Sequence, residues 1–324
     1  MAVVLITGGG GFLGMALARV LAREHRVILL DSLVHGEHQR QVLRRSGLAL
    51  VEADLRDRDA LDQALVGVDW IVHLASLAGV EQVRAKPVET METILSGTSV
   101  LLDACRDRRL ERFVFVSTSE VYGSQARDAK EEAISADFDP TEARWSYGAA
   151  KLAAEHLVMA HAKQHGLPAC VVRPFNVYGP GQFGQGAVHA MLRQALRGEP
   201  VLVHNQGDQI RAWLYVEDFV AGLLKTLESD QALGGVFNLG NPAATLTVLD
   251  LAHKVAALVG GVEVKHRALS GAEVDVRVPN IDRARRLLGF EARVGLDEGL
   301  PLTLGWLSGQ INEGINEGQE RSHA

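Results

Sequence analysis

A run of four glycines restricts this chain more than any other feature: TGGGGFLG, residues 7–14, stands between the apolar run AVVLI and the helix-like run MALARVLARE. Gly8, Gly11 and Gly14 fall at GxxGxxG spacing. In such a strand-to-helix turn the first glycine permits the tight turn, the second lets a pyrophosphate touch the backbone, and the third lets helix and strand pack closely. The unpaired N–H groups at the start of the helix, with the positive end of its dipole, then favour an anion without any lysine. A second apolar run, RVILLD, ends in Asp31, where a carboxylate meets the adenosine ribose of a dinucleotide and repels a 2′-phosphate, so NAD is expected rather than NADP. Asp54, in EADL, is placed either to accept from an adenine amino group or to cap the next helix.

The rest of the first half alternates short β-branched runs with longer amphipathic ones, the pattern of parallel strands joined by helical crossovers. Strands are expected at 3–7, 26–31, 48–54, 70–75, 112–118 and 169–175, with helices over FLGMALARVLARE, DALDQALV, VETMETILSGTSVLLDACRD and SYGAAKLAAEHLVMAHAKQHG. The fold class that follows is α/β, a doubly wound parallel (Rossmann) sheet with a smaller C-terminal substrate-binding lobe. Residues 1–175 form the NAD-binding domain with 212–240 returning to it, 176–211 and 241–310 form the lobe, and 311–324 are a polar, frayed tail.

A formal charge of −7 on 324 residues argues against a broad nucleic-acid or membrane surface but leaves small anionic ligands open. Cys105 and Cys170 lie in apolar runs without CxxC pairing and read as buried thiols. No apolar stretch reaches the length of a membrane span, and a cytoplasmic protein is expected. The twelve histidines show no ligand spacing, so no metal is expected; His73 belongs to the core.

Chemistry should gather where later strands end. STSEVYG brings Thr118, Ser119 and Glu120 to the end of one strand, and SYGAAK places Tyr147 and Lys151 one helical turn apart on a shared face. An ammonium beside a phenol favours the phenolate, which would lower the Tyr147 pKa and make it a base for a sugar hydroxyl, with Thr118 sharing the proton.

With these motifs in place the chain resembles the extended short-chain dehydrogenase/reductases that act on nucleotide sugars. The resemblance runs over about residues 1–305, through TGGGGFLG, EADL, VHLAS, STSEVYG, YGAAK, RPFNVYGPGQ, GDQIRAWLYVEDFV and RRLLGF. It implies Tyr147 as base, Lys151 orienting the nicotinamide ribose and Thr118 assisting. It also implies a cofactor cleft lined by Gly8, Gly11, Phe12, Leu13, Gly14, Asp31, Asp54, Leu55, Leu74, Ala75, Ser76 and Pro174. For the substrate it implies Asn176 and Arg211 at the diphosphate, with Val80, Val188, Leu202 and His204 around the nucleotide sugar. Arg277 is a weaker member of that set, because its spacing to the following Asn-Ile-Asp is off by one.

The resemblance further implies hydride removal from carbon 4 of the sugar and a 4-keto intermediate. Glu120 then decides the outcome: as a carboxylate beside the keto sugar it would remove the carbon 5 proton before loss of the 6-hydroxyl, a 4,6- or 5,6-dehydration such as that of UDP-N-acetylglucosamine. UDP-glucuronate decarboxylation and 4-epimerisation are the alternatives, and a non-catalytic NAD(H) sensor is the reading outside enzymology. Ser119 stands where dTDP-glucose dehydratases carry Asp, Ala212 also departs from them, and Ile94 occupies a place usually held by Asn. A UDP-sugar is the expected partner. The two apolar-patterned helices at 88–105 and 149–162 imply a homodimer built as a four-helix bundle.

Overall fold

The computed structural model describes residues 1–34, 36–134, 138–184 and 186–312, with the backbone alone for Glu37, His38 and Asn312. Strands run in the order β1 Val3–Thr7, β2 Arg26–Asp31, β3 Ala49–Glu52, β4 Trp70–His73, β5 Arg112–Val116, β6 Gln125–Ala129, β7 Ala169–Pro174, β8 Val177–Tyr178, β9 Val201–His204, β10 Ile210–Ala212, β11 Leu214–Tyr215, β12 Val236–Leu239, β13 Thr245–Thr247, β14 Val264–Arg267 and β15 Val276–Pro279. The helices are α1 Phe12–Leu21, α2 Gly36–Ser46, α3 Arg58–Ala64, α4 Val80–Ala85, α5 Pro87–Cys105, α6 Ser146–His165, α7 Ala187–Leu196, α8 Val216–Glu228, α9 Val248–Val259, α10 Asp282–Leu288 and α11 Leu296–Asn312.

Among the described residues, seven strands form one sheet in the order β12-β7-β5-β4-β1-β2-β3. Every neighbouring pair in it is parallel. Both faces of such a sheet are covered, so its strands are apolar on both sides and alternate residues enter different cores. Val4 and Ile6 of β1 pack with Leu17 of α1, Phe219 and Leu223 of α8 and Ala284 of α10. Leu5, between them, packs on the opposite face with Ile94 and Leu101 of α5 and Ala150 and Ala154 of α6. Each fully buried side chain of this kind contributes on the order of 1.5–3 kcal/mol.

The strand order reverses between β1 and β4, and in doubly wound sheets ligands bind at the carboxyl edge of that switch point. The glycine turn after β1 and the Leu74–Ser76 segment after β4 flank that edge. The seventh strand, β12, lies beyond the six strands read from the sequence. Its four residues sit between Gly234-Gly235 and Gly240, outside the strand-helix rhythm, and only pairing with β7 identifies it.

The smaller lobe has its own core of Val188, Met191 and Leu192 from α7, Leu251 and Val255 from α9, and Leu300 and Leu307 from α11. Its four-stranded sheet, β13-β10-β15-β6, takes in Gln125–Ala129, a segment the sequence reading kept in the first domain. Conversely Ile281, Ala284 and Phe290, read as lobe, pack in the core beneath β1. The expected polar tail begins inside α11, which holds Ile311 and Asn312; residues 313–324 lie outside the described residues. No described helix is long and apolar enough to cross a membrane.

Candidate active site

The glycine turn is built from contacts that exclude side chains. Gly8 has φ of +68°, and a Cβ there would stand 2.7 Å from the backbone nitrogen of Ala75. A Cβ at Gly14 would stand 2.5 Å from the Gly8 carbonyl oxygen, so helix and strand meet backbone to backbone. At Gly11 only the Gly8 oxygen comes within 4 Å, at 3.3 Å, and the remaining side is open. Gly11 caps α1 without any side-chain hydrogen bond, and the first turn of that helix holds no acid, so its amides remain available to an anion. Asp31 completes the cradle: one carboxylate oxygen accepts from Gly10 N at 2.9 Å and the other from Leu33 N at 2.8 Å. These residues fit a dinucleotide, its pyrophosphate against the Gly11 opening and its ribose beside Asp31.

Asp54 does not cap the next helix. The cap of α3 is Asp57, whose side chain accepts from Ala60 N, while Asp54 accepts a two-pronged contact from Arg56 at 2.9 and 2.7 Å. Leu55 is buried against α5, where a Cβ at Gly97 would come within 2.7 Å of it; Ile94 is fully buried in the same cluster, so an apolar side chain fills the place expected of a polar one. His73 is buried, its Nδ1 2.7 Å from Thr7 Oγ1 and its Nε2 2.9 Å from Thr98 Oγ1, and burial pushes its pKa down to about 3.

Thr118 caps the 3-10 turn Ser119–Tyr122 and its Oγ1 accepts from Glu120 N at 3.1 Å. Thr118 and Ser76 both hydrogen-bond Tyr147, so strand ends β4 and β5 and the start of α6 converge on one hydroxyl. One expectation is overturned here: Tyr147 is raised to about 12, because burial outweighs those two hydrogen bonds and Glu120 adds a like-signed repulsion against the phenolate. Lys151 does not offset this. Its Nζ donates to Val116 O at 2.8 Å and lies 4.7 Å from the centre of the Phe115 ring, and burial lowers its pKa to about 7 against the pull of Glu155. The rotation of α6 is fixed one turn further on, where Arg173 of β7 grips both oxygens of Glu155 at 2.9 and 2.5 Å and also donates to Tyr122 Oη at 2.8 Å.

Beyond Tyr147, Glu120 is set in a wall of arginines. Arg211 and Arg277 are register partners in the parallel β10–β15 pair. Both oxygens of Glu120 are held by Arg277, Oε2 at 3.3 Å, and Arg144 NH2 lies 3.3 Å from the same Oε2. Burial pushes the Glu120 carboxyl up, but Arg277, Arg144 and Arg211 outweigh it and hold the group below the usual carboxylate range. Arg211 is itself lowered to about 10 by burial and by Arg277; it donates to Val274 O at 2.5 Å. Arg84 of α4 donates to Ala272 O at 3.0 Å and is close enough to act on Arg144. Arg277 therefore stands at the centre of the cluster despite the off-by-one spacing that weakened it in the sequence; the register shift of the β15–β6 pair lies on the β6 side, where three residues oppose two. Sequence reasoning missed Arg84 and Arg144: neither falls in a recognised motif, and only the fold gathers them.

Around this centre, Asn176 has φ of +38° and ties the lobe to the sheet by donating to Ala212 O at 2.8 Å; Pro174 closes β7 beside it. Val188 is buried in the lobe core, Val80 is exposed on α4, and Leu202 is held through its amide by Gln194. His204 is exposed at the end of β9, which pairs with β14 rather than with any strand bearing the arginines. Phe12 and Leu13 open α1, partly buried against the lobe core.

Residues 4–240 match the family described as NAD dependent epimerase/dehydratase. The chain belongs to that family. It is 34% identical to UDP-glucuronic acid decarboxylase 6 of Arabidopsis thaliana over 304 residues, which covers 92% of this chain and 87% of that protein. Among solved structures it is similar to an epimerase of Methanothermobacter thermautotrophicus, with a TM-score of 0.89, 27% identity, and 98% and 95% of the two chains covered. It is also similar to the UDP-glucuronic acid 4-epimerase of Bacillus cereus, solved with UDP-glucuronic acid and NAD, at a TM-score of 0.86, 26% identity, and 95% and 99% of the chains. The family is one of NAD-dependent enzymes acting on nucleotide sugars.

Proposed function

We propose that this enzyme decarboxylates a UDP-uronate such as UDP-glucuronate. The observation that carries the reading is the arginine wall: three cations, Arg144, Arg211 and Arg277, face two carboxylates, Glu120 and the more distant Glu273, leaving positive charge for a substrate whose sugar end, as well as its diphosphate, is anionic. The relatives that carry a uronate in their names support it.

The glycine turn and Asp31 would hold NAD, which would supply a hydride acceptor and, once reduced, a hydride donor. Tyr147 takes the proton of the 4-hydroxyl, and Thr118 shares that hydrogen bond. The resulting ketone at carbon 4 stands β to the carboxylate, so the carbon 5–carbon 6 bond breaks heterolytically, its electrons passing to the carbon 4 oxygen as carbon dioxide leaves. Tyr147 and Thr118 face that oxygen as the negative charge develops. Carbon 5 then takes a proton and the ketone is reduced, giving a UDP-pentose. No base is needed at carbon 5, which suits a Glu120 tied by both oxygens to guanidinium groups.

Dehydration through a carbon 5 proton transfer is the second reading, favoured by the same group's ionised state, which is the state a base requires. Incubation in deuterated buffer separates the two. UDP-glucuronate should give carbon dioxide and a UDP-pentose carrying one deuterium at carbon 5, with kcat falling 10²- to 10⁴-fold in Tyr147→Phe. Loss of water from UDP-glucose or UDP-N-acetylglucosamine, without decarboxylation of any UDP-uronate, would favour dehydration instead. The working form in this proposal is a homodimer joined through α5 and α6, which pack together on one face of the sheet and leave Val88 of α5 exposed; a monomer in sedimentation at micromolar concentration would contradict it.

A further inference from the structure

Arg144 is the buried cation whose position on the segment leading to Tyr147 the charge of the wall alone does not explain. Its residue is 9% exposed, its NH2 reaches only Glu120 Oε2, and its Nε is buried with no partner. An unpartnered buried donor costs about 1–3 kcal/mol, so fold stability alone does not account for it. The Arg277 Nε is likewise buried without a partner, but its guanidinium grips both Glu120 oxygens and also donates to Gly123 O at 3.0 Å, so β15 and the turn after β5 are joined whether or not Arg144 is present. Arg144 instead stands on the short 3-10 turn Ala143–Trp145 that runs directly into α6. Two residues later α6 presents Tyr147. Packing fixes that turn, because Trp145 is buried, its ring lies 5.7 Å from Phe138, and the Arg144 guanidinium sits 5.3 Å from the Trp145 ring centre.

We infer that Arg144 is a positioning residue that ties the Glu120 carboxylate to the segment bearing Tyr147, fixing the distance between the group that faces the sugar's acid end and the group that faces carbon 4. The inference rests on the proposed decarboxylation only for the identity of the sugar. The charged and titratable groups bearing on Glu120 are Arg277 from β15, Arg211 from β10, Arg144 from the turn and Tyr147 from α6, with Glu273 acting on Arg144 from the connection before β15. Removing Arg144 takes away one of the three cations that keep Glu120 ionised, while Arg277 still holds it in place.

The test uses the full-length protein labelled with carbon-13 in its glutamate carboxyls, as native, Arg144→Gln and Arg144→Lys. The Glu120 carboxyl, assigned by its loss in Glu120→Gln, should titrate about one pH unit higher in Arg144→Gln, a tenfold change, and return most of the way in Arg144→Lys. With UDP-glucuronate, Arg144→Gln should lower kcat with KM changed less than about threefold, and shift the acid limb of the kcat profile upward with the carboxyl. An unmoved carboxyl titration overturns the inference, whether or not UDP-glucuronate is a substrate. A rise in KM at unchanged kcat would also overturn it, by making Arg144 a substrate-binding group. Should Arg144→Gln not fold, the lysine variant decides: lowered kcat with a native carboxyl titration supports the inference, and native kcat overturns it. Failure of the native enzyme to release carbon dioxide defeats the decarboxylase reading alone, since the carboxyl titration needs no substrate.

Discussion

The two walls of the cleft handle anions in opposite ways. On the sheet side, contact with the anion comes from backbone: Gly8, Gly11 and Gly14 remove side chains so that neutral amides at the start of α1 stay open. On the lobe side it comes from charge, with Arg144, Arg211 and Arg277 packed around a single carboxylate. The first design is rigid and nearly independent of salt and pH, and suits a cofactor that stays. The second balances buried charges against one another, so its strength changes with the charge of whatever enters. In the proposed reading, that difference makes the charged side the place where the sugar is chosen.

The sharpest way to break the comparison is on the charged wall. Arg277→Gln leaves Glu120 with the Arg144 hydrogen bond and the more distant Arg211 and takes a donor from Gly123 O, and thermal unfolding should show a loss of about 3–5 kcal/mol. A loss below about 1 kcal/mol would mean that water, not Arg277, solvates the carboxylate. On the backbone wall, Gly8→Ala puts a methyl 2.7 Å from Ala75 N at a positive φ and should cost about 2–4 kcal/mol, with NAD binding lost in calorimetry. Gly11→Ala, which meets only the Gly8 oxygen at 3.3 Å, should fold normally and still bind NAD poorly. Equal NAD affinity in native and Gly11→Ala protein would remove the pyrophosphate from that opening.

A smaller effect comes from Lys151, at the base of the cleft. Its pKa is about 7 in the fold against an ordinary 10.5, so between those values the unfolded chain holds a proton that the folded chain has released. Stability carried by this group therefore rises with pH from about 7 towards 10.5, and Lys151→Met should flatten that rise in denaturant titrations. The least effect is expected at Arg56, half exposed and paired with Asp54: Arg56→Gln should change stability by less than about 0.5 kcal/mol.

The same contrast explains what could be read from the sequence. The cradle was legible because it is local: TGGGGFLG and Asp31 sit on consecutive elements, and strand, turn, helix and strand fix their geometry. Thr118, Tyr147 and Ser76 were legible for a related reason, since each closes or opens an element whose end lies on the carboxyl edge of the sheet. The arginine wall was legible only in part: Arg211 and Arg277 came from the resemblance, and Arg84 and Arg144 were missed. Arg84, Arg144, Arg211 and Arg277 come from α4, a 3-10 turn, β10 and β15, and the pairing that unites the last two is parallel and distant in sequence. The Tyr147 pKa failed for another reason: helical spacing places Lys151 on the same face, but spacing carries no information about burial, and burial sets the value. Strand β12 was hidden likewise, being short, glycine-flanked and recognisable only beside β7.

The central claim, that the charged wall selects an acidic sugar while the glycine wall holds the cofactor, is tested most directly by the affinity ratio of NAD-loaded protein for UDP-glucuronate against UDP-glucose. The two ligands differ in charge at carbon 6 and share everything else of consequence. Calorimetry at low and raised salt should show the uronate bound more tightly by about tenfold or more, with that advantage shrinking as salt rises. Equal affinity, or preference for the neutral sugar, would contradict the account.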